Sequence, residues 1–212
     1  NGFALTSDHD LFDSNLVGLW HLDGDTTDSS GSGYDGTWSG SETYGSGLWG
    51  TNAVDFNDLS AGVKVAGIGT SWTSWTTMSV WIKVDDTNTA HTGGIAGHLS
   101  DTGFMFSYGK GLIYSNGSIY AEGESNNNHD ELTAPLGSGW HHIVGVFNEN
   151  GKLYVDGVEV DSGDISSGHT YYFGIGYATA NGLNNGIYFD GEIEEVAIWN
   201  KALTSAEVTD LY

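Results

Sequence analysis

An all-β chain closed by one short helix is the fold class this sequence predicts. Three observations predict it. The apolar runs are short and alternate, clusters of Gly, Asn, Asp and Ser separate them, and one segment alone carries helix-start chemistry. Many short alternating runs between such turns read as a sandwich or a barrel.

In chain order, residues 17–22 alternate apolar and small or polar side chains, as do residues 78–84 and 140–147. Further strands are expected at residues 53–56, 62–65, 94–98, 104–108, 118–121, 152–155, 172–176 and 186–199. Asp156-Gly157 between two apolar runs predicts a tight hairpin, because this dipeptide tolerates the positive φ angles of a primed turn. Trp20, Trp81 and Trp140 sit inside strand patterns and read as core aromatics. His141 and His142 are adjacent on a strand, so they point to opposite faces and do not chelate one metal together; one of them is expected to be buried. Residues 204–212 form the helix, with Thr204 as N-cap and Glu207 three residues on completing a capping box. Residues 1–15, with Asp8, Asp10 and Asp13, read as a linker or an edge strand, leaving residues 16–212 as one domain.

Composition narrows the function. The 212 residues carry 28 acidic side chains against five lysines and no arginine, a formal net charge of −23. Phosphate contacts need Lys and Arg, so nucleic acid is excluded as a partner, and so are anionic membrane surfaces. No apolar stretch approaches the roughly 18 residues that span a bilayer, so no membrane insertion is expected. The absence of Cys excludes a disulfide scaffold and thiol catalysis. The chain starts at Asn1 with no leader pattern, which reads as a cut point in a longer protein. Self-repulsion at this charge is relieved by salt or by divalent cations, and the expected setting is extracellular or at a cell surface.

Four ordered segments carry a family resemblance. They are Gly18-Leu19-Trp20-His21-Leu22-Asp23 with Tyr34-Asp35-Gly36-Thr37; Ala53-Val54-Asp55-Phe56 with Met78-Ser79-Val80-Trp81-Ile82-Lys83; Gly139-Trp140-His141-His142-Ile143-Val144 with Leu153-Tyr154-Val155-Asp156-Gly157; and residues 190–204. Together they resemble the laminin G-like, concanavalin A-like lectin domains of the bacterial, pentraxin-related branch. The resemblance implies a two-sheet antiparallel β-sandwich, a jelly roll, with the short helix at its end. It does not choose among the lectins, adhesin modules, glycosidases and lyases that share the fold.

Asp23, Asp25, Asp28 and Asp35 fall within thirteen residues, interleaved with Gly and Ser, and Glu192, Glu194 and Glu195 share the last strand pattern. Calcium takes six to eight oxygen ligands, which acidic Gly-containing loops supply. The resemblance implies a structural Ca2+ joining the two regions, with Asp23, Asp28 and Glu194 as side-chain ligands and carbonyls near Ser32 and Tyr34 completing the shell. Relatives mostly carry Asp where Glu194 stands. The bland alternative is a solvated acidic turn.

A second cluster, Glu122 to Glu131, is polar and rich in oxygen ligands. Binding residues often lie on loops carried by a rigid scaffold. Asn126, Asn127, Asn128, His129 and Asp130, with Asp101 converging from a preceding loop, are the candidate ligand-binding residues, holding either a second calcium or nothing more than water. Asn184-Asn185 is a weaker version. Among aromatics outside strand patterns, Trp38, Trp49, Trp72, Trp75, Tyr171 and Tyr172 offer faces for sugar rings, and Trp72 and Tyr171 are nominated.

Enzymatic readings find little support. Glu192-Ile193-Glu194-Glu195 lacks the second glutamate of a laminarinase-type strand and stands at the wrong end of the chain. Glu122 and Glu124 share a face with nothing else behind them. Lyase chemistry that neutralises a uronate with Arg has no Arg here, and no nucleophile elbow is present. The expectation is therefore a non-catalytic module, binding a glycan with calcium inside a secreted adhesin or polysaccharide-acting protein. A peptide-binding adhesin domain and a structural spacer stand as the competing readings.

Overall fold

The structure, a computed structural model, describes residues 5–7, 9–48, 52–56, 61–68, 76–85, 92–99, 110–125, 128–166, 172–179 and 186–212. One sheet runs in the order β13 (Val158–Gly163), β12 (Gly151–Val155), β11 (Gly139–Val146), β6 (Thr77–Val84), β17 (Gly191–Trp199), β4 (Asn52–Asp55) and β3 (Tyr44–Ser46), with β1 (Leu16–Trp20) also paired to β17. The second runs β10 (Asn128–Pro135), β9 (Ser118–Ser125), β8 (Lys110–Ser115), β7 (Thr92–Leu99), β14 (Tyr172–Ile175), β5 (Gly62–Val65) and β2 (Gly36–Ser39). β16 (Gly186–Tyr188) joins β7 in parallel and pairs β15 (Tyr177–Thr179). The sandwich is antiparallel, as expected, and α1 (Ser205–Leu211) follows the last strand.

Three layers result. Between the sheets, Val54, Val80, Ile82, Ile143, Leu153 and Ile193 of the eight-stranded sheet meet Val63, Leu112, Ile119, Phe173 and Ile175 of the nine-stranded one. Trp20 spans the gap, stacking on Phe173 at 5.4 Å while its indole N–H donates to the Tyr34 carbonyl at 2.9 Å. The outer face of the eight-stranded sheet is also apolar. Leu19, Val144, Tyr154, Ala197 and Trp199 lie there under Val208 and Leu211 of α1 and under Leu5 and Leu11. Leu5 and Leu11 of the first described residues thus pack into this outer layer. The Trp199 indole fastens them by donating to the Leu11 carbonyl at 2.9 Å.

Strand β17 serves both layers through a bulge. Ile193 faces the inter-sheet core, and so do Val196 and Ile198, an odd-to-even change that strict alternation forbids. The register against β6 shifts between Glu194 and Ala197, and Glu195 takes φ 53°. This extra residue resets the parity and sends Ala197 and Trp199 outward into the second cluster.

Most expected strands form, with informative differences. The run 186–199 is two strands, broken at Phe189-Asp190 before Gly191 at φ 149°. Residues 128–135 form β10, and 110–115 form β8, neither expected. Asp156 (φ 52°) and Gly157 (φ 76°) make the expected primed turn between β12 and β13. Trp20 and Trp81 are buried, but Trp140 is only half-buried, on the outer face opposite Lys83 rather than in the core. The expected strand at 104–108 lies outside the described residues.

The capping box is formed: Thr204 Oγ1 accepts the Glu207 N–H at 3.3 Å and the Glu207 carboxylate accepts the Thr204 N–H at 2.7 Å. Thr204→Ala is expected to cost about 1 kcal/mol, read as a thermal midpoint lower by about 2–4 °C.

Candidate functional site

The acidic turn after β1 is built around one carboxylate. Asp28 is buried; its Oδ1 accepts the N–H groups of Leu19 at 3.0 Å and Ser30 at 2.9 Å, and its Oδ2 accepts that of Tyr34 at 2.9 Å. Asp35 in turn accepts the Asp28 N–H at 2.9 Å. Three donors around a carboxylate close the turn in the way a bound ion would. Of the residues expected to ligate calcium, the structure brings Asp28 and Tyr34 together, but through that N–H, and the Tyr34 carbonyl is engaged by Trp20. Asp23 is exposed, its own carbonyl accepting from Asn52 at 3.4 Å. Glu194 is buried with Oε1 accepting the Leu48 N–H at 2.8 Å. Among the described residues no group of three or more His, Asp or Glu side chains gathers as a metal centre. Asp28 accepts three N–H groups, the Tyr34 carbonyl accepts one and Glu194 accepts one, while the Asp23 side chain is exposed.

Beside them lies a titrating cluster. Glu195 Oε1 meets His21 Nδ1 at 2.7 Å and its Oε2 accepts the Leu5 N–H at 3.2 Å. The bond to Glu195 raises the His21 pKa against the opposing effect of burial. Burial pushes the Glu194 carboxyl up to about 7, with Glu195 and Asp23 adding to it and the Leu48 N–H opposing. His142 is the buried member of its pair, as expected: its Nε2 meets Ser79 Oγ at 2.7 Å, its ring stacks on Trp81 at 5.0 Å, and burial lowers its pKa to about 3.

Residues 122–125 and 128–131 of the polar segment are strand. Glu122 to Ser125 end β9, Asn128 to Glu131 begin β10, and the two strands pair along their length. His129 stands opposite Glu124, and Asp130 opposite Gly123 and so level with Lys110. Asp130 belongs to the inner face, since its neighbours in phase are Leu132 and Ala134 of the core, so it does not present itself to a ligand on the outside. Asp101, Asn126, Asn127, Trp72 and Tyr171 lie outside the described residues, as do Trp49, Trp75, Asn184 and Asn185. Trp38 is a half-buried anchor, 6.0 Å from Phe56 and 6.2 Å from Tyr44.

Register shows what the sequence reading missed. On the outer face of the nine-stranded sheet one row crosses seven strands: Thr37, Lys64, Gly174, Gly97, Gly111, Glu122 and Glu131. Directly paired residues share a face, so three adjacent strands carry no side chain there, between Lys64 and two opposed glutamates. At about 4.8 Å per strand, Lys64 and Glu122 stand about 19 Å apart. The three glycines are buried. Alongside this strip Tyr177 and Ile113 form a small cluster with Tyr120, Ile187 and Tyr188. Tyr177 lies flat on Gly62, where a Cβ would stand 2.2 Å from the ring, and stacks on Tyr188 at 6.1 Å. Burial raises the Tyr177 hydroxyl to about 12, keeping it a neutral donor. Tyr120, Tyr188 and Glu131 reach solvent. The only trace of this in the sequence is glycine inside strand patterns, which marks close approach of another group.

Residues 50–209 match a laminin G-like family described as the concanavalin A-like lectin/glucanases superfamily. No curated protein matches the chain. Among solved structures, domain 4 of AbnA, an extracellular GH43 arabinanase from Geobacillus stearothermophilus in complex with arabinotriose, is 24% identical at a TM-score of 0.67, covering 93% of this chain and 98% of that domain. The binding domain of botulinum neurotoxin DC is similar in complex with SialylT, 12% identical at TM-score 0.70 with 93% and 50% of the chains covered. The same domain with rat synaptotagmin II gives 11%, 0.66, 93% and 51%. The chain spans about half the length of the toxin domains.

The Glu194 shift has a signed consequence. Below about pH 4.5 the carboxyl is protonated folded or unfolded, and as pH rises to about 7 the unfolded chain ionises first, so stability falls across that window. The raised His21 adds loss in the same sense as pH rises through its folded value. Glu194→Gln, which still accepts from Leu48, should flatten the decline in thermal midpoint between pH 4.5 and 7, leaving the His21 part.

Proposed function

The chain belongs to the concanavalin A-like lectin/glucanases superfamily, and on that basis we propose that it is a non-catalytic carbohydrate-binding module of an extracellular protein. The observation that carries this reading is the outer face of the nine-stranded sheet. There Tyr120 and Tyr188 present aromatic surface beside the glycine strip, with the Glu131 carboxylate at its rim. Aromatic faces stack against the C–H surfaces of sugar rings, and carboxylates accept hydroxyl hydrogen bonds. Tyr177, wedged between Gly62 and Tyr188, holds the platform rigid, which lowers the ordering cost of binding.

The arabinotriose and SialylT complexes of the similar domains support a glycan as the ligand class, and the synaptotagmin complex supports the competing reading of a protein ligand. The sugar itself is left to experiment. The proposal rests on the aromatic face and does not invoke calcium.

A glycan array followed by calorimetry on the best hit tests the reading. Tyr120→Ala and Tyr188→Ala should each weaken binding by about tenfold or more, since a stacked ring contributes about 1–3 kcal/mol, without changing the fold. Affinity should be equal in calcium and in chelator. An array with no hit would refute glycan binding. Loss of affinity in chelator would reinstate a calcium ligand, and release of reducing sugar would mark the Glu122–Glu131 pair as catalytic.

A further inference from the structure

The exposed large apolar side chains among the described residues are Val158 at 63%, Val160 at 42% and Tyr212 at 37%. Val158 and Val160 lie on β13, the edge strand of the eight-stranded sheet. The Tyr212 ring closes over Gly157, where a Cβ would stand 3.1 Å from it. Its own position is rigid: it stacks on Trp81 at 5.8 Å and on His142 at 6.2 Å, both buried. The sequence of β13, Val-Glu-Val-Asp-Ser-Gly, contains neither the lysine nor the proline with which edge strands are commonly blunted. Its second half is occupied, since Asp161 accepts the Thr133 N–H of β10 at 2.9 Å. The open stretch is Val158 to Val160, where the strand bulges against β12.

Charge selects the partner. Asp156, Glu159, Asp161 and Asp164 follow one another along this turn and strand; Asp156 is bonded to His141 Nδ1 and to the His142 N–H at 2.9 Å each, and Lys152 is held by Glu159 at 2.6 Å. A second copy of this chain, also at −23, would be repelled. We propose that this corner docks an extended peptide segment of a partner protein, one that sets lysine or arginine beside branched apolar residues and lies along β13 as an added strand. The surface is small, so the contact is weak and salt-dependent. It lies on a different sheet from the Tyr120–Tyr188 face and does not depend on the glycan reading.

The test is amide NMR of the intact chain titrated with a synthetic octapeptide alternating lysine and valine. Shifts are expected at residues 157–160 and 212. The double variant Val158→Lys, Val160→Lys should weaken the interaction by about tenfold, and raising the salt from about 0.01 M to about 1 M should weaken it several-fold. A glutamate–valine peptide serves as the charge control and should leave the spectrum unchanged. No perturbation at the corner, equal binding of the acidic peptide, or undiminished binding by the double variant would each overturn the proposal. Arabinotriose shifting these resonances in place of the peptide would overturn it too, and would give the corner to a sugar. Loss of glycan binding at Tyr120 or Tyr188 leaves these readouts untouched.

Discussion

The bulge at Glu195 is the constraint on which the rest of the structure depends. An eight-stranded sheet covered on both faces needs its central strand to feed apolar residues to two cores. β17 does so in two phases: Ile193 belongs to the inter-sheet core, and so do Val196 and Ile198, while Ala197 and Trp199 belong to the outer one. A single residue in left-handed backbone makes this change of phase, which puts Trp199 outward where strict alternation from Ile193 would turn it inward, at a local cost of order 1–3 kcal/mol for a non-glycine. The carboxylate of that residue offsets the strain by gripping His21 and the Leu5 N–H. The bulge thus decides both the core and the seat of the first turns of the chain.

From it follows the division of labour between the two outer faces. The eight-stranded sheet is closed over by α1 and residues 5–15, with Trp199, Leu203 and Val208 buried beneath. The nine-stranded sheet has no such helix among the described residues. Its outer face carries the buried glycine strip and a smaller cluster in which Ile113 and Tyr177 are buried and Tyr120 and Tyr188 reach solvent.

Charge is handled locally. Asp28 closes a turn by accepting three N–H groups, Glu192 holds Lys83 at 2.7 Å, and Lys201 joins Asp13 to Glu207 at 3.1 Å each. Such pairs near the surface contribute little individually. The acidic excess of the sequence is therefore partly architecture and partly an exposed field that favours basic partners. In this fold a carboxylate in a Gly-rich turn is as well satisfied by backbone donors as by an ion, and Asp28 is the case in point.

The sequence by itself determined the local pieces: alternating strands, the Asp156-Gly157 turn, the Thr204–Glu207 cap, the burial of one histidine of the pair, and the acidic charge balance. Each depends on period, backbone conformation or net charge, which neighbouring residues set. Only the tertiary structure decided the glycine strip. Gly174, Gly97 and Gly111 are scattered along the chain and become one strip through strand pairing, and Glu122 meets Glu131 the same way. Tertiary pairing also set Asp130 in phase with Leu132 and Ala134, left Trp140 half-buried on the outer face and gave Asp28 its N–H partners. Periodicity fixes which face of a strand a residue shares with its neighbours two places away. Register, set by which strands meet and where they bulge, fixes what stands beside it.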